Sequence, residues 1–165
     1  MDASPVVRSG ELASGAVDRL LAHYGLLHAT VAAGQPIPGS YWGAPEAGLV
    51  GRTLYLRADT PVHSLLHELA HFVCMSAERR AGLHTDAGGD DDEECAVCYL
   101  QVLLADRLPD FGASRCLDDM TAWGYSFREG TAHDWFSGDG RDARAWLRRQ
   151  GLVDADDAPS FALRE

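Results

Sequence analysis

Asp59-Thr60-Pro61-Val62-His63-Ser64-Leu65-Leu66-His67-Glu68-Leu69-Ala70-His71-Phe72-Val73-Cys74 is the stretch from which the rest of the chain can be read. Thr60 is a good N-cap, and Pro61 suits the first helical position, where a missing N–H costs nothing. Val62, Leu65, Leu66, Leu69, Phe72 and Val73 recur at helical spacing and supply a packing face. The spacing predicts a helix from 61 to about Ala81, with Gly82 as its stop.

On such a helix His67 and His71 project from one face, with Cβ atoms ~5–6 Å apart. Two imidazoles so placed can share one ion at ~2.0–2.1 Å each, and zinc suits them. Glu68 is rotated from His67 by ~100°. It faces the open side, where a carboxylate serves as general base toward an activated water. A His-Glu-x-x-His pentapeptide is common by chance. Here it sits mid-helix after a strand, with Leu69 and Ala70 apolar between its polar residues. Polar groups on a partly buried helix need partners, and a metal satisfies them.

A third ligand is expected from Asp90-Asp91-Asp92-Glu93-Glu94, which opens the next helix. Acids at a helix start also complement its dipole, which accounts for most of the run. Glu93 and Glu94, however, abut an apolar segment that must pack beside the first helix, so one of the two is placed to point inward. His84 and the aspartates of the run are further sources. His63 shares the stripe but lies ~12 Å from His71 along the axis, too far to bind the same ion. It reads as a first-turn residue, with a place as an outer partner of the site as the further option. His23, His28, His84 and His133 stand alone as surface or core histidines, with His84 and His133 the nearest to a role at the metal.

Leu49 to Arg57 reads as a strand and 29–48, rich in Gly and Pro, as a loop with short strands at its edges. Residues 10–28 carry a helical stripe. A second central helix runs from about 92 to 107, apolar almost all round and therefore buried. Shorter helices follow at 113–123, 131–137 and 141–150, and the last dozen residues read as a loose tail. The class expected is α+β: one domain over residues 1–165, mostly helical, with a small sheet of about three strands against two central helices.

The two central segments together resemble the zincin-like metallopeptidases related to ImmA and IrrE. The resemblance rests on His67-Glu68-Leu69-Ala70-His71 and on Glu93, Ala96, Tyr99, Leu103 and Leu104, which fall where that family has Glu-x-x-Ala-Asn-x-Phe-Ala-x-x-Leu-Leu. Val97 and Leu100 depart from the pattern. It covers roughly residues 49–105. The family's glutamate is the third zinc ligand, so the resemblance implies Glu93 in that role, with Glu94 as the alternative.

The chain has 165 residues, 46% of them hydrophobic, which suits a folded domain. A net charge of −11 argues against nucleic acid as a partner. The longest apolar runs are too short to span a membrane. Met1-Asp2-Ala3-Ser4-Pro5 lacks the features of a signal peptide, so the cytoplasm is expected. Arg141, Arg144, Arg148 and Arg149 read as a solvated helix face. Cys95 and Cys98 read as buried thiols, with a redox or second-metal role as the alternative. The expected activity is zinc-dependent hydrolysis of a peptide or protein substrate. The competing readings are a non-catalytic zinc-binding module that recognises a partner protein, and a sensor built on Cys95 and Cys98. A fourth protein ligand or a plugged groove would favour the non-catalytic module.

Overall fold

The computed structural model describes residues 6–82, 89–125, 127 and 130–165. Its architecture is α+β, with a three-stranded mixed sheet and a helical body. After a short 3-10 turn at Ser9–Glu11, helix α1 (Ala16–Ala22) buries Ala16, Val17, Leu20 and Leu21 on one stripe. It is shorter than the periodicity of 10–28 suggests, because Leu27–Thr30 leaves the helix to form strand β1.

The segment 49–57, expected as one strand, is two. β2 (Gly48–Val50) and β3 (Thr53–Leu56) are joined by a turn at Gly51, whose φ of 58° suits glycine. β3 is central, parallel to β1 and antiparallel to β2, with Leu49 opposite Leu54. A side chain at Gly48 would meet the Pro38 carbonyl oxygen, so the loop before β2 lies directly on that strand.

Helix α2 spans Val62–Cys74. Pro61 sits at its N-cap, while the Thr60 hydroxyl accepts a bond from the Arg57 N–H instead of capping the helix. The expected continuation to Ala81 is interrupted. Met75 and Ser76 are extended, and the Ser76 hydroxyl accepts from the Arg79 N–H to start a separate helix, α3 (Ala77–Ala81). Helix α4 (Asp91–Ala105) starts on an Asp90 cap, which accepts from the Glu93 N–H. α5 (Ala113–Trp123), α6 (Ala132–Ser137) and α7 (Arg141–Arg149) follow within a residue or so of expectation.

The core is the seam between α2 and α4. Leu65, Leu66, Leu69 and Val73 meet Ala96, Val97 and Leu100 in complete burial. α4 is apolar all round because α2 covers one flank while α5 and α7 cover others. On α7, Arg144 and Arg148 pair with Asp157. The C-terminal residues are not loose. Phe161 stacks on His23, and Arg164 reaches Glu93 and the Cys74 carbonyl. The first few residues are also expected to be loose, and that expectation lies outside the described residues. Among the described residues no helix is long and apolar enough to cross a membrane.

Candidate metal centre

His67, Glu68 and His71 lie on the middle turns of α2, with His67 and Glu68 on the wall of an open groove. The His67 and His71 rings stand 4.7 Å apart, nearly perpendicular. The packing of α4 on α2 brings Glu94 between them. Its Oε1 lies 3.3 Å from His67 Nε2 and its Oε2 lies 3.4 Å from His71 Nε2.

Glu93, the residue the family register implies, is elsewhere. It is one residue and ~100° around α4, and its side chain is 4% exposed against 49% for Glu94. Arg79 of α3 binds both Glu93 oxygens at 2.7 Å, and Arg164 donates to Oε1 at 2.9 Å. The break in the helix after Cys74 carries Arg79 to this position. With both oxygens held by guanidinium groups, Glu93 is committed to an ion pair, and the structure sets Glu94 against the imidazoles.

The fit to a metal can be tested on these distances. Donors bound to one tetrahedral ion at ~2.0–2.1 Å stand about 3.3–3.4 Å from one another. A charge-assisted hydrogen bond would close to ~2.7–2.9 Å. The observed 3.3 and 3.4 Å are nearer the first spacing, with each imidazole facing a different oxygen of the carboxylate. Cys98, one turn beyond Glu94, brings its sulfur to the His67 side: the donor atoms of His67, Glu94 and Cys98 all lie within 4.8 Å of one another, and, as a second group sharing His67, so do those of His67, Glu68 and His71. These residues can hold a metal ion. Cys98 is buried as expected, but beside the histidines, whereas Cys95 is exposed.

The electrostatics agree. Burial works to discharge His67, yet Tyr125, Cys98 and Glu94 outweigh it and hold its pKa well above the ordinary value. Glu94 is held below the usual carboxylate range, burial opposing and both histidines prevailing. The cluster therefore favours positive charge among its donors. Glu68 behaves differently: burial pushes it up to about 7, His67 opposes, and Glu46 and Glu94 add to the rise.

A groove of about 580 Å³ opens on the cluster. Its lining includes Glu46, His67, Glu68, Glu94 and Cys98 together with Tyr41, Trp42 and Trp123. Tyr41 and Trp42 pack edge to face and are largely exposed, an unusual cost for such side chains in water. A larger cavity of about 640 Å³ is lined by Phe127, Trp135 and Trp146 and holds neither histidine.

The other histidines are accounted for. His63 is fully buried beside Tyr125. His133 bonds Asp118, His28 bonds Asp18, and His23 stacks on Phe161. The alternative ligand His84 lies outside the described residues. Reading the sequence for spacing alone passes over Gln101, which bonds His67, and over Tyr125 and the groove aromatics. Glu94, Cys98 and Gln101 are spaced i, i+4 and i+7, so a polar stripe on an otherwise apolar helix was the available signal.

Comparison of the chain with models of known families, with curated proteins and with solved structures finds no match.

Proposed function

We propose that the chain is a zinc-dependent peptide hydrolase in which His67, His71 and Glu94 hold the ion and Glu68 is the general base. The observation that carries this reading is the placement of one Glu94 carboxylate at ligand spacing from two imidazole nitrogens, 3.3 and 3.4 Å, beside an open groove. Zinc, when bound, supplies Lewis acidity toward water and a substrate carbonyl. The protein supplies the rest. Glu68, next to His67 but turned to the groove, accepts the proton of the attacking water at a carboxylate oxygen and returns it to the leaving amine. In the metal-free protein burial raises the pKa of Glu68, and only its ionised carboxylate can accept that proton. Tyr41, Trp42 and Trp123 give the peptide an apolar wall.

Metal analysis of the purified protein is the first test. Zinc should be present in the wild type and lost in His67→Ala. Glu68→Gln should keep zinc and lower peptide hydrolysis by ~10²–10⁴-fold. Loss of zinc in that variant would make Glu68 part of the coordination, and full activity would exclude it as the base.

Cys98 favours a second reading. A thiolate joining His67 and Glu94 at one ion would add a sulfur to the protein ligands and move the centre toward a closed structural site. The chain would then be a zinc-stabilised module that recognises a partner protein through its aromatic-lined groove. Zinc-loaded wild type with no hydrolysis of any peptide would favour it.

A further inference from the structure

We infer that Gln101 is a positioning residue that fixes the tautomer of His67, holding a proton on Nδ1 so that in the neutral ring Nε2 is the nitrogen left free for the metal. The metal clause rests on the proposed function, whereas the tautomer does not.

The inference follows from which atoms can donate. Gln101 lies on α4, seven residues after Glu94 and on the same face, and it is fully buried. One end of its amide is 2.7 Å from the His63 carbonyl oxygen. A carbonyl only accepts, so that end must be the nitrogen. The other end is then Oε1, which lies 3.0 Å from His67 Nδ1. An amide oxygen also only accepts, so Nδ1 must carry the hydrogen. A neutral imidazole has one ring proton, and Nε2 is left with a lone pair. Nε2 is the atom 3.3 Å from Glu94.

The opposite amide orientation would set oxygen against oxygen at His63, in a place without solvent to relieve it. A further contact secures the choice. The Gln101 amide nitrogen also reaches the Tyr125 hydroxyl at 3.2 Å, and that hydroxyl lies 3.3 Å from His63 Nδ1. The Tyr125 oxygen accepts from Gln101 and lies within hydrogen-bond range of His63. Gln101 is thus held at both ends, and its orientation is passed to His67. Outer partners of this kind typically contribute 10–100-fold to metal affinity.

The test uses the full chain with ¹⁵N-labelled histidine. Long-range ¹H–¹⁵N spectra of the metal-free protein, on the alkaline side of the His67 titration, report which nitrogen is protonated. The wild type should show His67 with the proton on Nδ1. Gln101→Leu removes the acceptor; it should move His67 to a mixture of tautomers and weaken zinc binding, read by chelator competition, by ~10–100-fold. A wild-type proton on Nε2 would overturn the inference whether or not any variant folds. So would Gln101→Leu losing zinc while the tautomer stays as in the wild type, since that is the mark of a packing role. A wild type that binds no zinc would sink the metal clause and the hydrolase reading, with the tautomer still judged on its own spectrum.

Discussion

Replacing Glu93 and Glu94 by Gln, one at a time, should separate stability from metal affinity. Glu93 is a buried carboxylate held by three short bonds, two at 2.7 Å to Arg79 and one at 2.9 Å to Arg164. Neutralising one member of a buried pair typically costs about 3–5 kcal/mol. The side chains of Arg79 and Arg164 keep 35% and 26% of their surface in water, so their charges rehydrate in part. The expected loss is therefore at the low end, about 3 kcal/mol. For a domain of this size that lowers Tm by roughly 6–12 °C. Zinc affinity should barely change. Glu94 is half exposed and should cost under about 1 kcal/mol in the metal-free protein. Its loss should weaken zinc by more than the ~10–100-fold typical of an outer partner. Urea denaturation and chelator competition on the same preparations give both numbers. The reasoning fails if Glu93→Gln loses zinc at undiminished stability, or if Glu94→Gln binds zinc like the wild type.

Three further outcomes are expected. His63 is fully buried, and burial first, then His67 and Arg8, lower its pKa from 6.5 to about 3. The unfolded chain therefore takes up the proton first, so the stability this group supplies is complete above pH 6.5 and is lost as pH falls toward 3. At pH 5 the loss is about 2 kcal/mol, and a His63→Leu protein whose stability keeps the same slope between these limits would contradict it. Leu69→Ala, at a wholly buried position in the α2–α4 seam, should cost about 2–5 kcal/mol in urea unfolding; a smaller loss would mean the seam collapses around the missing side chain. With cobalt in place of zinc, Cys98→Ser should remove a sulfur-to-metal charge-transfer band if the closed site forms, and an unchanged spectrum would leave the hydrolase reading as the simpler one.

The two central helices were legible because their apolar residues recur at a helical period and their neighbours begin or end with turn residues. The break at Cys74 was harder to see. Met75-Ser76 contains neither Gly nor Pro, and only the cap geometry of Ser76 reveals a new start. The turn inside 49–57 was marked by Gly51, but the flanking residues read equally well as one longer strand. His67, Glu68 and His71 were legible from local spacing alone. The choice between Glu93 and Glu94 was not, because it depends on Arg164, 71 residues away, and on the turn that brings Arg79 back over α4.

That distance bears on the order in which the protein assembles. The Arg164–Glu93 bond joins residues 71 apart, and the Val7–Asp119 bond joins residues 112 apart. Closing a flexible loop of the first length costs about 4 kcal/mol in chain entropy. A hydrogen bond to a charged group returns only about 1.5–3 kcal/mol. Neither clasp can form in an open chain; each must wait until α2 and α4 have already met along their apolar seam. The clasp on the first turn of α4 is thus a late contact. Glu94, half exposed and next to the clasped Glu93, is set between the histidines by the seam itself, and the far end of the chain then closes over its neighbour.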